Sequence, residues 1–190
     1  MLNTLSYIGE NLNNANIRWA VGASILLNQY GLIEQPNDID IFVDERDIEE
    51  ADELLNSLGE KKKWEMNPTY ATKCFYEYEI KGVDVDVMAG FAVNFSGGLF
   101  QFQFDENSIS EFRSIDGVEI PFTALEDWYV LYQLIPDRQV KVQIIEEYLK
   151  KHGVKKPLLL ERILKQELPE EVREKIENVL RKCINKFGYI

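Results

Sequence analysis

The stretch VGASILLNQYGLIEQPNDIDIFV, residues 21–43, decides how this chain is read. A small-residue turn, Gly22-Ala23-Ser24, opens an apolar run, and further on Asp38 and Asp40 alternate with isoleucine. Residues two apart on a β-strand point the same way, so the two carboxylates stand side by side while Ile39 and Ile41 face the core. Like charges held that close repel, and a divalent cation bound through oxygen relieves the repulsion. The turn carries its own implication. A strand that passes through small residues into a helix leaves free N–H groups at the positive end of the helix dipole. That is a seat for phosphate, with the Ser24 hydroxyl as an added donor. Each feature also has a plainer reading: a steric turn, and the wet face of a one-sided antiparallel sheet.

Working outward, a second acidic pair appears in IKGVDVDVMAG, where Asp84 and Asp86 again sit two apart among valines. Before the opening stretch, Leu2, Leu5, Ile8 and Leu12 have helical spacing and IRWAV reads as a strand. After it, Asp44 or Asp47 is placed to cap an amphipathic helix carrying Ile48, Ala51, Leu54, Leu55 and Leu58 and stopped by Gly59. From Lys61 to Pro121 the segments TYATKCFYEYEI, GVDVDVMAGFAV, GLFQFQF and GVEIPF all read as strands of a mixed sheet. Beyond Pro121 the pattern is helical: a capping box at Thr123-x-x-Glu126, LEDWYVLYQLI, a break at Pro136, RQVKVQIIEEYLKKHG closing on Gly153, and two more helices separated near Pro169. The expected class is α+β, a mixed β-sheet flanked by helices, with a core over residues 1–121 and a C-terminal helical region over 122–190.

Composition bounds the function. With 190 residues, 45% hydrophobic, the chain can bury a proper core. A formal net charge of −12 works against an extended nucleic-acid footprint and favours a small-molecule or protein acceptor. Cys74, Cys183 and the single His152 form no zinc-type cluster, and MLNTLSYIGENLNNANIRW has no basic start followed by an apolar core. These features lead us to expect a cytoplasmic protein with no membrane segment.

Two acidic strand pairs after a phosphate-type turn, in this order and spacing, resemble the DNA polymerase β-type nucleotidyltransferase superfamily, with its Gly-[Gly/Ala]-Ser turn, Asp-x-Asp pair and third carboxylate. The motif region spans roughly residues 17–90, and small stand-alone bacterial members share the general layout: minimal, antibiotic-modifying and abortive-infection toxin types. The resemblance implies transfer of a nucleoside monophosphate from an NTP to a hydroxyl of a small molecule, protein or RNA, with release of pyrophosphate. It implies that Gly22, Ala23 and Ser24 hold phosphates and that Asp38 and Asp40 bind Mg²⁺, or Mn²⁺ in its place. It assigns the third carboxylate to Asp86, with Asp84 as the alternative. The chain departs from many relatives in having Pro36 and Asn37 before the acidic pair, and Tyr132 and Gln133 where several relatives carry a helical lysine. Arg138 and Lys141, one turn apart, are the basic residues expected to reach a triphosphate. A non-catalytic nucleotide- or partner-binding relative, or a toxin–antitoxin component with its partner protein, is the alternative.

The remaining features read as structural. Lys61, Lys62 and Lys63 are a solvated basic run, although they could touch phosphate. Trp19, Trp64 and Trp128 could stack a base, but core packing is the commoner fate of tryptophan. His152, beside a helix-ending glycine, is placed to cap carbonyl groups.

Overall fold

The computed structural model describes residues 1–63 and 67–187. Its centre is built by the alternating strands read above. In chain order the strands are β1 (Trp19–Val21), β2 (Ile39–Val43), β3 (Glu60–Lys61), β4 (Cys74–Ile80), β5 (Val83–Ala89), β6 (Ala92–Phe95), β7 (Gly98–Gln101), β8 (Ile109–Ile115) and β9 (Val118–Thr123). Seven of them form one sheet in the order β3-β4-β5-β2-β1-β9-β8, and β6 and β7 make a separate hairpin. The sheet is mixed: β2 runs parallel to β5 and β1 parallel to β9, while the other neighbours are antiparallel. This is the α+β architecture expected.

The helices are α1 (Leu2–Asn14), α2 (Ala23–Gln29), α3 (Ile48–Leu58), α4 (Leu125–Leu134), α5 (Gln139–His152), α6 (Pro157–Ile163) and α7 (Glu170–Phe187). Helices α1 and α3 follow their apolar stripes, burying Leu5, Ile8 and Leu12 in one and Ile48, Ala51 and Leu55 in the other. Helix α4 is apolar nearly all round, the pattern of a helix enclosed on every side, and Trp128, Tyr129, Val130, Leu131 and Tyr132 are all buried. Its Trp128 stacks on Phe42 of β2 with ring centroids 5.6 Å apart, so the sheet and the C-terminal helices share one hydrophobic core. Each large side chain buried there contributes about 1.5–3 kcal/mol. The break at Pro136 falls between α4 and α5, and Gly153, at φ 89°, ends α5. Among the described residues, no helix is long and apolar enough to cross a membrane.

Four local expectations are corrected. No capping box forms at the start of α4. The N-cap position is Ala124, the Thr123 hydroxyl donates to the Val21 carbonyl and accepts from the Trp128 indole, and Glu126 accepts the amides of Lys155 and Lys156. Nor does an aspartate side chain cap α3: Asp47 takes the amide of Arg18, and Asp44 is engaged by arginines. His152 stacks on the ring of Tyr148 at 4.3 Å. The fourth correction is β8, a full strand over ISEFRSI that the reading of the sequence passed over. It is joined to β9 by Asp116 and Gly117, both at positive φ (51° and 83°), as a two-residue type I′ hairpin requires. Trp64 lies outside the described residues.

Candidate active site

The parallel pairing of β2 with β5 sets Asp40 directly opposite Asp86. Asp38, just before β2, points to the same face. One carboxylate oxygen from each of Asp38, Asp40 and Asp86 lies within 4.8 Å of the others. Among the described residues, none of the three forms an ion pair. Their electrostatics show the crowding. Burial first, then the charges of Asp38 and Asp86, hold Asp40 well above the ordinary carboxylate range, with Lys141 opposing. Burial, then Asp38, Glu77 and Asp84, push Asp86 up to about 7, with Lys62 opposing. Such a set of hard, crowded, unpaired oxygens fits a divalent cation.

The cluster lies where two recesses meet. One, of about 300 Å³, is lined by Arg138 and Lys141 as well as by the acids, and walled by Tyr70, Phe91, Trp128 and Tyr132. Lys141 is half-buried, and its Nζ lies 3.5 Å from the Tyr132 hydroxyl. Burial, and then Arg138, pull its pKa down, while Asp40 and Asp38 act to raise it. The other recess, of about 320 Å³, is lined by Lys62, Tyr78 and Asp84, and the two share Asn37, Asp38, Glu77 and Asp86.

Asp84 is treated differently from Asp86, although the two share a face of β5. It is exposed, and Lys62 Nζ binds it at 2.5 Å. Lys61 pairs with Asp52 at the same spacing, so this part of the basic run is spent on local acids. The turn is built tightly. A side chain at Gly22 would put its Cβ 2.5 Å from Trp128 Nε1, so glycine is required there by close approach. Ala23, at φ 44°, borders the larger recess in a left-handed conformation that a non-glycine residue adopts at a cost of about 1–3 kcal/mol. Ser24 is buried, and its hydroxyl lies 3.2 Å from the Asp38 carbonyl and 3.3 Å from the Asp38 carboxylate. The structure therefore ties the turn to the acidic cluster through Ser24. Trp19 is buried, with its indole donating to Asn13.

The sequence reading missed Tyr70, Phe91 and Glu77. Glu77 had a signal, since it alternates with Tyr76 and Tyr78 in CFYEYEI, and β4 pairs it with Asp86. Tyr70 and Phe91 had none, because they come from irregular segments brought in by the fold.

A mixed sheet with convergent carboxylates on adjacent parallel strands, beside a small-residue turn into a helix, is the nucleotidyltransferase fold. The chain belongs to the family described as nucleotidyl transferase of unknown function (DUF2204), which it matches over residues 1–182. Among curated proteins, none matches its sequence. Solved structures share its fold. The candidate nucleotidyltransferase TM1012 of Thermotoga maritima superposes with a TM-score of 0.59 at 24% identity, over 80% of this chain and 93% of that one. ANT(2")-Ia, in complex with adenylyl-2"-tobramycin, gives 0.56 at 14% identity, over 93% and 97%. The lincosamide antibiotic adenylyltransferase LnuA, lincomycin-bound, gives 0.52 at 16% identity, over 76% and 95%.

Proposed function

We propose that this protein transfers a nucleoside monophosphate from an NTP to a hydroxyl acceptor, in a cytoplasmic setting, using Mg²⁺ or Mn²⁺ held by Asp38, Asp40 and Asp86. One observation carries the reading: these carboxylates converge, free of ion pairs, at the junction of two recesses, only one of which is lined by Lys141 and Arg138. The basic recess suits the triphosphate, with the turn Gly22-Ala23-Ser24 alongside, and the acidic recess beyond Asp86 suits the acceptor. When bound, the metal supplies positive charge against the phosphate oxygens.

The chain's own residues do the rest. Lys141 and Arg138 neutralise the β and γ phosphates and so favour departure of pyrophosphate. The acceptor oxygen attacks the α-phosphorus, and the bond to the bridging oxygen breaks with its electron pair leaving on pyrophosphate. The hydroxyl proton passes to a carboxylate oxygen of Asp86, which adjoins both recesses. Tyr132 and Tyr70, facing the basic recess, fix the nucleotide's position and exclude water.

The test is incubation of the purified chain with each labelled NTP and Mg²⁺ or Mn²⁺, using itself and a panel of hydroxyl compounds as acceptors, alongside calorimetry. Label transfer with pyrophosphate release, and nucleotide binding strengthened by metal, are expected. Absence of metal-dependent binding for all the common NTPs would overturn the reading.

A further inference from the structure

Strand β8 ends the seven-stranded sheet, and among the described residues β9 is the only strand paired with it. Its sequence, Ile109-Ser110-Glu111-Phe112-Arg113-Ser114-Ile115, is a palindrome in chemistry. Folded back on a second copy about Phe112, it sets isoleucine against isoleucine, serine against serine, glutamate against arginine, and Phe112 against itself. We propose that the protein forms a two-fold symmetric dimer by antiparallel pairing of the β8 edges, joining the two sheets into one.

The backbone has the right parity for this axis. The two-residue hairpin makes Ile115 and Val118 a hydrogen-bonded pair, alternation makes Arg113 and Ile120 the next, and Phe112 falls opposite Pro121. Pro121 has no N–H to give, so the N–H and C=O of Phe112 point away from β9 toward the open edge. A two-fold axis through Phe112 turns it and its counterpart into a pair exchanging both backbone bonds. An axis through a residue whose polar groups already face β9 could not do so. Among the described residues, no backbone hydrogen bond from an element other than β9 reaches Glu111–Ile115.

The side chains agree. Phe112 is 58% exposed, one of few large apolar side chains left in water. Glu111 and Arg113 are paired within the strand at 2.8 Å, and Arg113 also donates to the Gln29 carbonyl, so the charge pair is fixed on one face of β8 beside the open edge. Edge strands are usually blunted against such pairing by unmatched charge. Here the charges are complementary to those of a second β8 running antiparallel, which favours self-pairing. The β-bulge at Ser110 confines the regular seam to its centre, around Phe112. With a net charge of −12 on each copy, raised ionic strength should strengthen the association by screening the rest of the surface.

Sedimentation velocity of the full chain over a concentration series, at low and moderate salt, tests this. A monomer–dimer equilibrium is expected, favoured by salt. Phe112→Lys should weaken it by about tenfold or more, since like charges would meet at the axis. Glu111→Arg should do the same, and adding Arg113→Glu to it should restore the dimer, a rescue that mere misfolding would not give. In a Cys74→Ser, Cys183→Ser background, Phe112→Cys should form an intermolecular disulfide on mild oxidation, because hydrogen-bonded antiparallel pairs stand about 5.5 Å apart at Cα. Ser114→Cys should not, since it would face a serine. A chain that stays monomeric throughout, or a dimer that Phe112→Lys leaves intact and Phe112→Cys does not cross-link, overturns the proposal.

Discussion

The two ends of β2 carry aspartates in opposite circumstances. Asp44, just past the end of the strand, is 8% exposed and accepts from Arg46 Nε and Nη2 and from Arg18 Nη1, at 3.0, 2.7 and 3.0 Å. The Arg46 bonds, with Arg18 adding to them, hold its carboxyl well below the usual range. Asp40, on the same strand, has no arginine or lysine paired with it among the described residues and is driven the other way by burial and by Asp38 and Asp86. An acid that is part of the scaffold comes with its counter-charge. An acid kept in reserve for a ligand lacks one and is costly until the ligand arrives. The same contrast recurs on β5, where Asp84 is paired and Asp86 is not.

The sharpest way to break this comparison is at Asp86. Asp86→Ala is expected to lower label transfer more than a thousandfold, about 4 kcal/mol or more, while calorimetry still shows nucleotide binding. Transfer surviving at a measurable fraction of wild type would place Asp86 with the scaffold. Next comes Asp44→Ala, which should lower the unfolding free energy by about 1–2 kcal/mol in urea titration, because it removes the acceptor of several hydrogen bonds, while the two arginines, partly in water, keep their solvation. Its activity per folded molecule should be unchanged.

A pH series separates the two ends with one protein. The folded-state pKa of Asp86, about 7, lies above its unfolded value. Its stabilising contribution is therefore present at low pH and lost as pH rises through about 7. Asp44 has a depressed folded pKa, so its contribution is present above the unfolded value, near 4, and lost only as pH falls below that. Metal-free protein should accordingly melt lower at pH 7.5 than at pH 5.5, with millimolar Mg²⁺ or Mn²⁺ restoring part of the difference. Asp86→Asn should flatten the trend.

Smaller effects refine the picture. Asp40→Asn should leave folding intact or raise stability by up to about 1 kcal/mol in thermal melts, since it removes one of the crowded charges. A drop in melting temperature would mean that Asp40 holds the strand. Asp84→Ala should change the transfer rate by less than about tenfold, roughly 1 kcal/mol, because Lys62 already neutralises it at an exposed position.

What could be read from the sequence follows from how far each signal travels. The acidic strands were legible because alternation is local: Ile39, Ile41, Val85 and Val87 are fully buried, and their placement fixes the face of Asp40 and Asp86. That Asp40 lies opposite Asp86 was not legible, because β2 and β5 pair in parallel across α3, β3 and β4. The caps failed for the same reason. Thr123 and Glu126 have the local spacing of a capping box, but the Val21 carbonyl, the Trp128 indole and the amides before α6 claim their side chains. Strand β8 was hidden by Glu111 and Arg113, charges that break the apolar alternation and whose partners, each other and the Gln29 carbonyl, appear only in the folded chain.

The bond from Thr123 to Val21 joins residues 102 positions apart, and β9 meets β1 across the same span. During synthesis the acidic strands leave the ribosome well before β9, α4 and the basic residues at 138 and 141 that face them. Because domains grow from the N-terminus at about 5–20 residues per second, the nascent chain carries its carboxylates for several seconds without the opposite wall. Under the proposed function, nucleotide capture is thereby deferred until most of the polypeptide exists, and a prematurely ended chain would keep the acids but not the basic residues proposed to hold the triphosphate.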